Sequence, residues 1–152
     1  HKIIGYTIIP IPVIAILNVQ EIVDMLITGI DIIEIARIGE VLNKYGVRFL
    51  NRIYTDSEQK YCKGRAAQLA SRFAAKEAVM KALGTGIRGV GWKDIEIKRE
   101  RGGPPYIQLH GRGQARASKM GLSEISLSLS HSNDFAVASV VGEATLGNRL
   151  TK

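Results

Sequence analysis

The stretch from Arg72 to Gly84 constrains the fold of this chain more than any other part of its sequence. Its residues are almost all strong helix formers, and the glycine stands where a helix would end. Glu77 and Lys81 lie four residues apart, so both project from one face of the predicted helix. Phe73 lies close to the same stripe, and we therefore expect Glu77 to be at least partly buried. A carboxylate and an ammonium beside an apolar face cost free energy unless compensated, and a divalent metal with a phosphate would compensate both.

The composition indicates one folded domain with a basic surface. A chain of 152 residues, of which 45% are hydrophobic, is long enough to bury a core without disulfides or a structural metal. The formal net charge of +7 favours acidic partners such as nucleic acid, anionic lipid, phosphorylated ligands or an acidic protein. An ordinary protein that happens to be basic would show the same charge.

Cys62 is the only cysteine of the sequence. It excludes an intramolecular disulfide and a cysteine-rich zinc site. Nothing near it in the sequence marks it as a nucleophile, so we expect a structural cysteine. The low cysteine count fits a reducing compartment, and we expect a cytoplasmic location.

Residues 1–24 differ in character from the rest of the chain. Residues 3–19 are strongly apolar, but Pro10 and Pro12 interrupt a run that is short for a membrane-spanning helix. The segment also lacks a clear signal-peptide pattern. We interpret residues 1–24 as an N-terminal extension of uncertain origin, with Met25 as the initiator and 25–152 as the folded domain. An extra strand or a membrane-contacting arm is the alternative.

The pattern of the remaining residues predicts an α+β domain with a mainly antiparallel sheet. A β-branched run over 26–33 predicts a buried strand, and 34–45 predict a helix. Thr55 and Glu58 have the spacing of a capping box, which predicts the start of another helix. The further predicted elements are a helix over 65–83, a flexible glycine loop over 84–91, strands over 92–100 and 106–110, a helix over 114–120, and strands over 125–130 and 135–141.

Asp31 is a carboxylate inside the first apolar strand, and two interpretations of it stay open. It could cap the helix that begins near Glu34. It could equally bind a metal together with Glu77, because Mg²⁺ typically takes one or two carboxylates plus phosphate and water oxygens.

The other charged candidates also have structural alternatives. Lys81 could form a simple ion pair with Glu77 on a solvated helix face. Arg72 and Lys76 could be surface charges. His131 follows an alternating strand, and a lone histidine at such a place is more often a hydrogen-bonded structural residue than a catalyst.

Three groups of residues stand in order along the chain, and together they resemble a known family. They are Gly29-Ile30-Asp31-Ile32 with Glu34 and Arg37, then Arg72-Phe73-Ala74-Ala75-Lys76-Glu77-Ala78 with Lys81 and Gly84-Thr85-Gly86, then Ser130-His131-Ser132 before Phe135-Ala136. They resemble the bacterial holo-acyl-carrier-protein synthases, the small single-domain class of phosphopantetheinyl transferases. The resemblance runs from Met25 to about Val141. Two departures are Ile27, where the family often has glycine, and the N-terminal extension.

The resemblance implies a reaction, a fold and partners. The 4′-phosphopantetheine arm of coenzyme A would move to a serine of apo acyl carrier protein in fatty acid biosynthesis, releasing adenosine 3′,5′-bisphosphate. Mg²⁺, or Mn²⁺ in its place, would be the cofactor. The implied fold is a mainly antiparallel sheet packed against a long helix, and the implied assembly is a homotrimer with sites between subunits. Neither nucleic acid nor a membrane would be a partner.

The resemblance also implies roles for particular residues. Asp31 and Glu77 would hold the metal, and Lys81 would contact the pyrophosphate, which makes these three the catalytic residues. Glu34 would orient the waters of the metal. The residues implied in coenzyme A binding are Arg72, Lys81, Gly84, Gly86 and His131. The residues implied in docking the acidic carrier protein are Arg37, Lys44 and Arg48.

Two other classes of protein would also explain part of the sequence. A basic nucleic-acid-binding domain would explain the charge, but the strands lack the aromatic platform of an RNA-recognition sheet. A structural or oligomeric scaffold would leave Glu77 and Lys81 as an ion pair. A nucleic-acid-binding domain would not explain carboxylates placed within apolar elements.

Overall fold

Long-range antiparallel pairing organises the fold, because the first and last of the described strands lie side by side. The computed structural model describes residues 24–145. Its elements are, in order, β1 (Asp24–Glu34), α1 (Ile35–Tyr45), α2 (Val47–Ile53), α3 (Asp56–Cys62), α4 (Ala66–Leu83), α5 (Gly86–Gly89), a 3₁₀ turn (Trp92–Asp94), β2 (Ile95–Arg99), β3 (Pro105–Leu109), α6 (Gly111–Met120), β4 (Leu122–His131) and β5 (Phe135–Thr145).

The described strands form two antiparallel sheets. One has the order β1-β5-β4, and the other is the hairpin of β2 and β3. Asp31 of β1 pairs with Ala138 of β5. The predicted α+β class with antiparallel pairing is therefore confirmed, and the division into two sheets was not foreseen.

Helix α4 lies against the three-stranded sheet and supplies more of the core than any other described element. Its inward face is rich in alanine, including the fully buried Ala74 and Ala78, so the helix can approach the strands closely. Gly29 of β1 marks the closest approach: a Cβ atom there would lie 1.9 Å from the backbone oxygen of Ala78. The strand that holds Asp31 is thus pressed directly onto the helix that holds Glu77.

A buried ion pair joins α4 to α3 and to the hairpin. The interpretation of Lys76 as a surface charge is wrong, because its side chain and that of Glu58 are both 0% exposed. Lys76 Nζ lies 2.8 Å from Glu58 Oε2 and donates to the backbone oxygens of Trp92 and Ile95. Burial lowers the pKa of Lys76, and the attraction of Glu58 counters that shift. The same glutamate completes the predicted capping box with Thr55.

Two local features differ from the predicted elements. Helix α2 was not predicted. It begins after Gly46, which ends α1 and has a φ of 51°, a conformation that favours glycine. The expected glycine loop contains the short helix α5. No helix within residues 24–145 is long and apolar enough to cross a bilayer.

The expectation for the N-terminal extension is not tested. Residues 1–23 lie outside the described part of the chain, as do residues 146–152, and β1 begins at Asp24. The domain boundary at Met25 therefore stays a prediction.

Candidate active site

The two carboxylates proposed as metal ligands lie in one cavity. A cavity of about 360 Å³, here called the carboxylate cavity, opens where β1 ends and α1 begins, with α4 along one side. Its lining residues are Asp31, Ile32, Ile33, Glu34, Arg37, Phe73, Glu77 and Phe135. Residues that are 46 positions apart in sequence are thus brought together by the contact between β1 and α4.

Asp31 does not cap α1. The N-cap residue of that helix is Glu34, and no side chain accepts a hydrogen bond there. The carboxylate of Asp31 instead accepts a hydrogen bond from Lys81. The capping interpretation of Asp31 is therefore wrong.

The electrostatics of the carboxylate cavity favour a bound cation. Burial raises the pKa of Glu77, the negative charge of Asp31 raises it further, and Lys81 opposes both effects. Two carboxylates that repel each other in a partly buried place are stabilised by a positive ion between them. Residues 24–145 contain no cluster of three or more His, Cys, Asp or Glu side chains that could hold a metal, so a metal here would need oxygens from water or substrate as well.

Lys81 pairs with Asp31 rather than with Glu77. Its Nζ lies 2.8 Å from Asp31 Oδ1 and 2.8 Å from the backbone oxygen of Ile30. The side chain of Lys81 is 53% exposed, and that of Asp31 is 17% exposed. The proposed pair along the helix is therefore not formed, and the ammonium bridges α4 to β1 at the edge of the carboxylate cavity.

Arg72 and His131 meet in a second cavity of about 400 Å³, here called the arginine cavity. Tyr61, Arg99 and Ser130 also line it. Arg72 is only 2% exposed, so its interpretation as a surface charge is wrong. The ring of His131 is exposed.

Within this one chain the arginine cavity and the carboxylate cavity have no lining residue in common. Helix α4 connects them, since it contributes Arg72 to one and Glu77 to the other. Gly84 and Gly86 follow the end of α4, and neither is among the lining residues of the two cavities.

The three basic residues expected to dock the carrier protein are exposed on α1 and α2. They are Arg37, Lys44 and Arg48. Arg37 lines the carboxylate cavity, and Arg48 lines a neighbouring groove of about 520 Å³ that also contains Phe49 and Arg52. Arg52 was not among the residues predicted to dock the carrier. Its spacing of four residues from Arg48 could have revealed it once α2 was recognised.

Comparison with known proteins identifies similar sequences and structures. The family model of the 4′-phosphopantetheinyl transferase superfamily matches residues 27–140. The chain is 46% identical to the holo-[acyl-carrier-protein] synthase of Herpetosiphon aurantiacus, covering 78% of this chain and 98% of that protein. It is 49% identical to the synthase of Koribacter versatilis, covering 76% and 96% of the two chains.

Solved structures agree with these sequence matches. The crystal structure of the Helicobacter pylori holo-[acyl-carrier-protein] synthase in complex with coenzyme A matches with a TM-score of 0.70 and 35% identity, over 76% of this chain and 98% of that one. The synthase from Neisseria meningitidis matches with a TM-score of 0.70 and 36% identity, over 76% and 96% of the two chains.

Proposed function

This chain belongs to the 4′-phosphopantetheinyl transferase superfamily and has the activity of a holo-[acyl-carrier-protein] synthase, and we propose that Asp31 and Glu77 form the centre of its active site. It transfers the 4′-phosphopantetheine group of coenzyme A to a serine of apo acyl carrier protein, releasing adenosine 3′,5′-bisphosphate. The observation that supports the proposed site is that both carboxylates line one cavity. A role in fatty acid biosynthesis and a cytoplasmic location remain predictions.

Magnesium is the proposed cofactor, with manganese as the alternative. Asp31 and Glu77 fit it, because Asp31 raises the pKa of Glu77 in a partly buried place where a divalent cation would stabilise both carboxylates, and a phosphate substrate would complete its coordination. When bound, the ion would neutralise charge on the pyrophosphate and on the leaving phosphate. Glu34 lines the same cavity and would orient water there.

Besides holding the metal, the proposed site positions coenzyme A. Phosphoryl transfer depends mainly on alignment and charge stabilisation. Lys81 is half exposed and bound to Asp31, so it can turn its ammonium to a pyrophosphate oxygen that enters the carboxylate cavity. Arg72 and His131 bind the 3′-phosphate of the nucleotide in the arginine cavity. Gly84 and Gly86 line the path of the cofactor beside the end of α4.

The carrier protein docks on α1 and α2 in this proposal. Arg37, Lys44 and Arg48 provide positive charge for an acidic partner, and complementary charge raises the rate of association. The groove beside Arg48 adds apolar surface from Val41 and Phe49. Arg37 also lines the carboxylate cavity, so a carrier bound there would have its serine close to the proposed metal site.

A homotrimer with sites between subunits is the proposed assembly. Leu26, Ile30 and Ile32 alternate along β1 and are 72%, 63% and 64% exposed, and Val141 of β5 is 46% exposed. A row of exposed apolar side chains on a sheet is typical of a surface that is covered by another chain. Light scattering of the protein after size-exclusion chromatography measures the mass directly, and a monomer would contradict the proposal.

Mass spectrometry of apo acyl carrier protein tests the function. The carrier is incubated with this protein, coenzyme A and Mg²⁺, and we expect it to gain the mass of one phosphopantetheine group. A carrier whose acceptor serine is replaced by alanine is the matched control and gains nothing. Loss of transfer in excess EDTA, restored by added Mg²⁺, is expected from the metal site. Absence of any mass gain on the intact carrier would contradict the proposed function.

A further inference from the structure

Tyr61 lies against the guanidinium group of Arg72 in the arginine cavity. The Cζ atom of Arg72 is 4.0 Å from the centroid of the tyrosine ring. Tyr61 belongs to α3 and Arg72 to α4, and both residues line the cavity. A cation over the face of an aromatic ring is attracted by the negative potential of that face, and the attraction grows as water is excluded.

Arg72 is a buried cation with few polar partners. It is 2% exposed and forms no ion pair with any residue between 24 and 145. Its Nη1 donates two long hydrogen bonds to Gln68, of 3.3 Å and 3.4 Å. Its buried Nε has no hydrogen-bond partner within the described part of the chain. A buried guanidinium without a counter-ion costs free energy, and an anion in the cavity would offset that cost.

The cavity around this pair suits a phosphate monoester. Arg99 and His131 also line it, so cationic or hydrogen-bonding groups surround the space beside Arg72. A guanidinium can present two parallel N–H groups to phosphate oxygens, but only if its plane is held in a fixed orientation. The tyrosine ring lies against the guanidinium and restricts that plane. Tyr61 itself contributes no charge.

We propose that Tyr61 is a positioning residue that holds Arg72 ready for the 3′-phosphate of coenzyme A, so that the enzyme selects coenzyme A over dephospho-coenzyme A. This inference rests on the proposed function, because it takes coenzyme A as the substrate and the arginine cavity as the place of its 3′-phosphate. It gives a role to Tyr61, which the proposed function does not use. Tyr61 acts through Arg72 and does not touch the reacting phosphorus.

The test compares two substrates that differ only in the 3′-phosphate. KM and kcat are measured for coenzyme A and for dephospho-coenzyme A with the wild-type protein, Tyr61→Phe and Tyr61→Leu. Tyr61→Phe keeps the ring, whereas Tyr61→Leu keeps apolar bulk without an aromatic face. Tyr61→Met is a second variant without a ring, for use if the leucine variant does not fold.

We expect Tyr61→Leu to raise KM for coenzyme A about fivefold, with kcat and the KM for dephospho-coenzyme A unchanged. Tyr61→Phe should match the wild type. Equal KM values for coenzyme A in the leucine and phenylalanine variants would overturn the proposal, as would an equal rise of KM for both substrates. A wild-type protein that accepts both substrates equally would overturn it too, while leaving the transfer activity intact. A wild-type protein that modifies no carrier would instead overturn the proposed function.

Discussion

Lys76 and Lys81 lie five residues apart on α4, yet they hold the molecule together in different ways. Lys76 is fully buried and binds Glu58 and two backbone oxygens. Lys81 is half exposed and binds Asp31 at the edge of the carboxylate cavity. Both ion pairs have the same N–O distance of 2.8 Å. Their surroundings make the first a part of the fold and the second a part of the site.

The geometry of an α-helix explains the difference. Five residues turn a helix by about 140°, so the two lysines point to different neighbours. Lys76 points to α3 and the start of β2, where water is excluded and a lost partner leaves a bare charge. Lys81 points to β1, where its ammonium is half exposed and water can solvate it at little cost if the pair is lost. Equal distances therefore do not imply equal contributions to stability.

The largest effect on stability is expected at the buried pair. Lys76→Met should lower the free energy of unfolding by about 3–5 kcal/mol, because it leaves the Glu58 carboxylate buried and unpaired. Urea denaturation followed by circular dichroism measures this change. Adding Glu58→Gln to the same variant should recover part of the loss. A single variant as stable as the wild type would contradict the structural role of Lys76.

The next largest effect is expected on the rate of transfer, with the fold intact. Asp31→Asn and Glu77→Gln should each lower the rate of transfer on the order of 100-fold, because each removes a carboxylate that stabilises the charge of the reaction. Neither should reduce the free energy of unfolding by more than about 1 kcal/mol, because Asp31→Asn weakens only the half-exposed pair with Lys81 and Glu77→Gln relieves the repulsion from Asp31. Carrier modification followed by mass spectrometry gives the rate. Wild-type rates in either variant would contradict the proposed metal site.

Substitutions on the proposed docking surface should have a smaller effect than the loss of a carboxylate. Arg48→Glu should raise KM for the carrier protein on the order of tenfold while KM for coenzyme A stays constant, because a reversed charge repels an acidic partner. Arg101→Glu is the matched control, since Arg101 is exposed in the turn between β2 and β3. The difference between the two variants should shrink at high salt. Equal carrier KM values in both variants would show that α1 and α2 are not the docking surface.

The pair of Lys81 and Asp31 should contribute little to stability. Lys81→Met should change the free energy of unfolding by less than about 1 kcal/mol, because the ammonium is half exposed and the Asp31 carboxylate lines a cavity that water can enter. Transfer from coenzyme A should nevertheless slow. Denaturation and transfer assays on the same preparation separate the two effects. A loss of stability as large as that of Lys76→Met would remove the distinction between the two lysines.

The sequence predicted the elements whose residues repeat with a clear period. The long helix, the capping box at Thr55 and the strands around Asp31 and Leu127 follow from local patterns, and each is present in the structure. A shared metal for Asp31 and Glu77 was one of two open interpretations of the residues, and the family resemblance favoured it. Both carboxylates line one cavity, and the metal itself stays a prediction.

Long-range partners could not be predicted in this way. A helical pattern identifies which residues share a face, but it does not identify what covers that face. The sequence neighbours of Lys76 and Arg72 are a mixture of polar, charged and apolar residues, which suits a surface as well as an interior. The packing of α3, the hairpin and β4 around α4 buries them. Whether Lys81 pairs with Asp31 or with Glu77 likewise depends on where β1 lies, which is a property of the whole fold.

The close approach of Gly29 to α4 limits how this protein can accumulate mutations. A Cβ atom there would lie 1.9 Å from the backbone oxygen of Ala78, and the backbone of a packed helix cannot swing aside as a side chain does. Any substitution would push β1 outward and separate Asp31 from Glu77, although both carboxylates would remain. Selection should therefore keep glycine at position 29, although glycine carries no functional group. Random mutagenesis should find inactive variants at Gly29 as readily as at Asp31.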